Sequence, residues 1–409
     1  MASIISSQLK KITGSNITLP KGFTAAGINC GIKFKKKDLG IILSEKPASA
    51  AAVYTTSKIK AAPLEVTKES IETEGLLQAV IVNSGNANAF TGEQGRMHAY
   101  AMCREVSERF GLLDHHVGVA STGIIGETMP IEKILQGIQQ LTPAAQVDRA
   151  MEFSQSILTT DTKTKNACYS FNIGESEVIL AGTAKGSGMI HPNMATMLSF
   201  LTTDANISSE NLHLALKKVT DQSFNCITVD GETSTNDMVL ILANGLAGHE
   251  ELSPEHPDWG TFLQALTLTC TELAKSIARD GEGATKLIEV TVEGAATGDE
   301  ARAAAKSIVG SPLVKSAIFG CDPNWGRIVA VLGYAGVEIC PDSIDLSIGN
   351  FPVLRQSKIE DFNHDEISDY LTGSEISITV NLHKGNGKGK AWGCDLTYDY
   401  VQINSSYTT

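Results

Sequence analysis

No two cysteines of this 409-residue chain stand at C-x-x-C spacing. The eight of them, Cys30, Cys103, Cys168, Cys226, Cys270, Cys321, Cys340 and Cys394, are scattered singly, and none has a histidine at metal-ligand spacing. A zinc knuckle and a dithiol redox motif are thereby excluded, and the usage is that of reduced, mostly buried thiols. The nine histidines form no H-E-x-x-H or comparable cluster, although His115 and His116 adjoin, so no metal is expected. Cofactor fingerprints are missing as well. Gly186-Ser187-Gly188 lacks the spacing and following helix of a dinucleotide site, and no glycine-rich loop ends in Gly-Lys-Ser or Gly-Lys-Thr.

Positive charge is scarce. Lysine and arginine number 33 against 46 aspartates and glutamates, a net charge of -13, and the pI is near 5.2. A surface of that sign repels a phosphate backbone, which excludes nucleic acid as a partner and favours a small-molecule substrate. No apolar run approaches the length of a bilayer span, and Met1-Ala2-Ser3-Ile4-Ile5-Ser6 has no basic region followed by an apolar core. A cytoplasmic protein without a membrane partner is expected. Internal repeats, low-complexity tracts and proline-rich linkers are also lacking.

What is present is an ordinary globular composition, 42% hydrophobic with a mean hydropathy of -0.01, in a chain long enough for a large core. Residues 22 to 60 read as short β segments, with Gly27, Gly31 and Gly40 as turns. Ala79 to Val82 is a strand candidate running into Asn83-Ser84-Gly85-Asn86-Ala87-Asn88, and a helix candidate follows from Glu93 to Phe110. Val117 to Ala120 leads likewise into Ser121-Thr122-Gly123-Ile124-Ile125-Gly126, before Ile131, Ile134, Leu135, Ile138 and Leu141 recur at helical spacing. Further helices are predicted over 144–158, from Ser208 or Ser209 to Val219, over 262–278 and over 299–309. Strands are predicted over 167–172, 178–182, 238–242 and 287–292, with a terminal hairpin turning at Gly385 to Gly389. Alternating elements of this kind belong to a layered α/β or α+β architecture.

The stretch from Lys185 to Phe200 breaks that rhythm. Its first half is glycine and proline punctuation, and at Thr196 an apolar, strand-like run begins. A threonine hydroxyl becomes a useful nucleophile when a base takes its proton, and its own α-amine, freed by cleavage after Ala195, is such a base. With a reference pKa of about 7.7 to 8.0, that amine is partly neutral near physiological pH. On spacing alone, a β-branched residue opening a strand remains the simpler reading of Thr196. Thr122-Gly123 can offer an oxyanion a hydroxyl and a backbone N–H, yet Thr and Gly are also common turn residues. Lys185 and Glu282 can pair with a charged substrate, though a lone Lys or Glu is commonly solvated surface. Cys321-Asp322-Pro323-Asn324-Trp325-Gly326-Arg327 is open to two readings, a thiol nucleophile loop or a structural turn with Trp325 in the core.

Read as Lys-Gly-Ser-Gly-Met-Ile-His-Pro-Asn-Met-Ala-Thr-Met-Leu, residues 185 to 198 resemble the self-cleavage segment of the ornithine acetyltransferases, or glutamate N-acetyltransferases, of arginine biosynthesis. The resemblance spans nearly the whole chain. It includes residues 83–88, Ser121-Thr122-Gly123, Thr159-Thr160-Asp161-Thr162, Asp230-Gly231-Glu232, Arg279 to Lys286 and the Cys321 to Arg327 motif.

That resemblance implies sheets sandwiched between helices, an ornithine acetyltransferase/aminopeptidase-like fold. It implies self-cleavage between Ala195 and Thr196 into an α chain of residues 1–195 and a β chain of 196–409, assembled as two α and two β chains. Thr196 is then the nucleophile, Thr122 and Gly123 stabilise the oxyanion, and Thr159, Lys185, Glu282, Asn404 and Thr409 line the substrate site. The implied reaction is ping-pong transfer of acetyl from N-acetylornithine to glutamate with no cofactor, some members taking acetyl-CoA as a second donor. A related self-processing amidohydrolase or aminopeptidase would use water as acceptor, and an uncleaved α/β binding protein would keep Thr196 as a strand residue only.

Overall fold

Met238-Val239-Leu240-Ile241-Leu242 is apolar at every position, a pattern suited to a strand covered on both faces. In the computed structural model, which describes residues 9–191 and 197–406, that run lies between two helical layers. The strands along the chain are β1 (Lys10–Lys11), β2 (Phe23–Ile28), β3 (Leu39–Tyr54), β4 (Leu76–Asn86), β5 (Val117–Ile124), β6 (Lys165–Ile173), β7 (Ser176–Lys185) and β8 (Leu198–Thr203). They continue as β9 (Ile227–Thr228), β10 (Met238–Ala243), β11 (Leu287–Ala295), β12 (Asp345–Ile348), β13 (Phe351–Arg355), β14 (Lys358–Ile359), β15 (Glu375–Asn381) and β16 (Gly387–Cys394). The helices are α1 (Ala62–Glu74), α2 (Gly92–Phe110), α3 (Ile131–Ile138), α4 (Val147–Ser156), α5 (Ser209–Gln222) and α6 (Trp259–Arg279). After them come α7 (Gly298–Gly310), α8 (Pro312–Phe319), α9 (Trp325–Leu332), α10 (His364–Leu371) and α11 (Tyr398–Ser406).

One sheet runs β1-β6-β7-β8-β10-β3-β4-β5, with β2 paired to β3 beside that path; the other runs β14-β13-β12-β15-β11-β16-β9. Strand β10 is parallel to β8 and antiparallel to β3. Alternation along β10 sorts its side chains. Met238, Leu240 and Leu242 join Phe153 and Ile157 in one core, while Val239 and Ile241 join Leu216, Phe262 and Leu266 in another. Each such side chain, fully removed from water, stabilises the fold by about 1.5–3 kcal/mol. Helix α4 packs on β2 and β3, whereas α6 touches β6 and β7 of the first sheet and β9, β11 and β16 of the second, with α7 also on β11 and β16. Sheets sandwiched between helices are therefore the observed architecture. No helix among the described residues is long and apolar enough to cross a membrane.

Several boundaries differ from the sequence reading. The short β segments of residues 22 to 60 are dominated by one strand, β3, of 16 residues. Strands β4 and β5 run on through Asn86 and Ile124, so both Gly-containing stretches begin inside strands rather than after them. The terminal hairpin does not form, because β11 lies between β15 and β16 and pairs with both. Gly387 and Gly389 serve close packing instead: a Cβ would stand 2.3 Å from the Thr297 carbonyl oxygen at the first and 2.5 Å from the Arg302 nitrogen at the second. All eight cysteines are free, five buried and three half-buried.

Candidate active site

Strand β7 ends at Lys185, directly across from Leu198 at the start of β8. The loop between them therefore leaves and re-enters the middle of the first sheet. Its described part, Gly186 to His191, is fixed by carboxylates. Asp161 accepts from the Gly186 N–H at 2.7 Å, and Asp230 accepts from the Met189 and Ile190 N–H groups at 2.7 and 2.9 Å. Met189 has a φ of 55°, a conformation a non-glycine residue adopts at a cost. At Gly188 a Cβ would stand 2.4 Å from the Glu282 carboxyl, so this glycine admits that acid. Ala195, Thr196 and Thr409 lie outside the described residues.

Thr122, Gly123, Thr159, Lys185, Glu282 and Asn404 line one cleft, and Met197, which follows Thr196 in the chain, lines it with them. Every described residue of the expected site is thus brought together. Thr122 and Gly123 arrive by a register irregularity in which Asn86 of β4 pairs with both Thr122 and Ile124, a bulge that re-aims the strand end. Gly123 has a φ of +133°, and a Cβ there would stand 2.4 Å from the Gly85 carbonyl carbon. The Asn83 to Asn88 motif is a structural knot. Asn83 accepts from the Ser121 hydroxyl at 2.6 Å and donates to the Asn86 carbonyl at 2.9 Å. Asn236 donates to the carbonyls of Ala87 at 2.6 Å and Ser121 at 2.8 Å, tying the loop before β10 to the ends of β4 and β5.

The polar side of the cleft is a buried charge network. Lys185 donates to the Thr159 hydroxyl at 2.7 Å and lies 3.9 Å from Asp161. Lys165 reaches Asp161 at 2.7 Å and Asp280 at 2.6 Å. Burial works against the charged form of Asp161, yet the ammonium groups of Lys185 and Lys165 and the Gly186 N–H hold its carboxyl well below the usual range. Burial lowers the pKa of Lys185, while Asp161 counters part of that. Asp237, immediately before β10, is the opposite case. Burial pushes its carboxyl well above the usual range although Ser234 and the charge of Lys185 act in the other direction, and its Oδ2 has no hydrogen-bond partner. His191 is held near 4 by burial and then by the charge of Lys306, and its Nδ1 lies 3.0 Å from the Thr228 hydroxyl.

The end of the chain closes one side. Thr397 donates to the Gly283 carbonyl at 2.8 Å, and Asn404 of α11 donates to Glu282 Oε2 at 2.7 Å. The Cys321 motif lies elsewhere: Lys286 Nζ stands 3.1 Å from Cys321 Sγ, and Trp325 opens α9 against the core, the structural-turn reading. Glu74, His115 and His116, also away from the cleft, hold three potential ligand atoms within 4.8 Å of one another, a grouping explained by the 2.9 Å contact between His116 Nε2 and Glu74 Oε2. Asp161, Lys165, Asp230, Asn236, Asp237 and Asp280 are site residues that sequence reasoning did not assign. The available signal was an acid set directly before an all-apolar run, as Asp237 is, or inside a quoted motif, as Asp161, Asp230 and Asp280 are.

The ArgJ family model matches residues 24–409. Arginine biosynthesis bifunctional protein ArgJ of Geobacillus kaustophilus is 57% identical over 402 residues, 98% of each chain. The protein so described from Halalkalibacterium halodurans is 57% identical over the same share. Among solved structures, the crystal structure of arginine biosynthesis bifunctional protein ArgJ from Bacillus halodurans is 59% identical with a TM-score of 0.51, covering 52% of this chain and 100% of that one.

Proposed function

The chain belongs to the ArgJ family of arginine biosynthesis, and from that premise we propose that it is the acyltransferase that moves acetyl from N-acetylornithine to glutamate through Thr196. The carrying observation is the convergence of Thr122, Gly123, Thr159, Lys185, Glu282 and Asn404 on the cleft that Met197 also lines. In this reading the precursor cuts itself after Ala195. The solved Bacillus halodurans chain is matched over its whole length by 52% of this chain, which supports a molecule made of two fragments.

Thr196 Oγ attacks the acetyl carbonyl and its α-amine takes the hydroxyl proton. Thr122 and the Gly123 N–H hold the oxyanion. Ornithine leaves with a proton, and glutamate then accepts the acetyl group, a ping-pong sequence with no cofactor. Lys185 meets the α-carboxylate that both amino acids carry, and Glu282 meets the ammonium end of ornithine. Asn404 and Thr409 are the further substrate-site residues of this reading. The description of the relatives as bifunctional supports acetyl-CoA as a second donor. Two α and two β chains, working in the cytoplasm, complete the proposal.

The test pairs a denaturing gel with acetyl transfer from both donors. Wild type is expected as two fragments with glutamate-dependent activity, and Thr196→Ala as a single inactive 43.4 kDa band. A processed, active Thr196→Ala protein contradicts the mechanism.

A further inference from the structure

Resting on the reading that acetyl-CoA is a second donor, we infer that the loop between β2 and β3 holds the nucleotide end of that donor, with Phe34 against the adenine and Lys35 and Lys36 on the phosphates. In a chain of net charge -13, four of the five residues from Lys33 to Lys37 are lysines, and the fifth is Phe34. Among the described residues only Lys37 of the four is ion-paired, to Glu152 at 3.2 Å. A local field opposite in sign to the rest of the surface selects an anion. Phe34 is 87% exposed, and Lys35 Nζ lies 5.0 Å from the centre of its ring. An exposed aromatic face bordered by cations suits a phosphorylated base, which brings a π-face and negative charge together.

The loop is held in shape without a ligand. The buried Asp38 carboxylate accepts from the N–H groups of Cys30 at 2.6 Å and of Ile32 and Lys33 at 2.8 Å, and Asn29 donates to the Lys33 carbonyl at 2.9 Å. The acid of the loop is thus spent on its own backbone, and a preformed loop loses little freedom on binding. Its position beside the cleft matches the donor. Lys33 Nζ donates to the Leu158 carbonyl at 2.9 Å, next to Thr159 of the cleft wall. A Cβ at Gly85 would stand 2.8 Å from Ile32 Cγ2 and 3.0 Å from Lys33 Cγ, and Gly85 pairs with Gly123, which lines the cleft. The arm joining the thioester of acetyl-CoA to its phosphates is a linear chain of about a dozen bonds, comparable with four extended residues or about 14 Å. With the acetyl carbonyl in the cleft, the phosphates come within reach of this loop. N-acetylornithine has no such end, so the loop serves one donor only.

Steady-state acetyl transfer to glutamate from each donor in turn tests the inference. The variants are Phe34→Ala and the pair Lys35→Glu with Lys36→Glu, all at exposed positions where folding is little affected. For both, KM for acetyl-CoA is expected to rise by about 10-fold or more, with kcat and KM for N-acetylornithine unchanged. The acetyl thioester of N-acetylcysteamine, which carries no nucleotide, is expected to serve the variants as well as it serves wild type. A wild-type KM for acetyl-CoA in both variants overturns the nucleotide site alone. An equal loss with N-acetylornithine or with the short thioester also overturns it, because the loop then acts on the cleft and not on the nucleotide. Failure of the wild-type protein to transfer acetyl from acetyl-CoA overturns the donor reading and the inference together.

Discussion

Asp161 sets the charge of the cleft. It joins Lys165, the Gly186 N–H and, at longer range, Lys185, so its carboxylate is favoured in the folded chain despite burial. A carboxyl with a depressed folded pKa stabilises the fold at pH values above its unfolded value of about 3.9, and that stabilisation is lost as pH falls toward the folded value. We expect Asp161→Asn to cost about 3–5 kcal/mol at neutral pH, because two lysines keep their charge and lose a partner. Urea melts should then show the variant losing less stability than wild type between neutral pH and about pH 3. Equal losses would contradict this account. Sequence alone could not identify the network: Asp161 and Asp280 are 119 positions apart, and only the pairing of β6 with β7 beside the end of α6 lets Lys165 span them.

Gly188 and α11 show what whole elements add. The loop after β7 passes so close to Glu282 that Gly188→Ala forces the carboxyl away from the cleft and from Asn404. We expect this variant to fold with a melting temperature near wild type and to lose acetyl transfer by at least about 10-fold, the effect of one misplaced charged contact. Wild-type activity would show that Glu282 need not stand there. The tail makes a parallel case. Exposed termini usually fray, but α11 places Asn404 on the Glu282 carboxylate. Truncation after Ile403 is expected to abolish most activity with little change in melting temperature, and full activity in the truncated chain would contradict it. Strong periodicity made most helices legible from sequence, α2 and α6 nearly to the residue. The hairpin failed because local turn residues do not record that β11 fills the space between β15 and β16.

At the scale of the molecule, the two covered faces of β10 hold the sheet at the centre of the protein and bring β7, β8 and β5 to one cleft. The expected layering followed from the alternation of strand and helix. The expected site came from the family resemblance, since no spacing in the sequence brings Thr122, Lys185, Glu282 and Asn404 together. The most direct test of the central claim is the mass of the chain after incubation with N-acetylornithine in the absence of glutamate, followed by denaturation. The account predicts a fragment beginning at Thr196 that carries one added acetyl group and loses it when glutamate is supplied. An unsplit chain, or a fragment whose mass does not change with the donor, would contradict it.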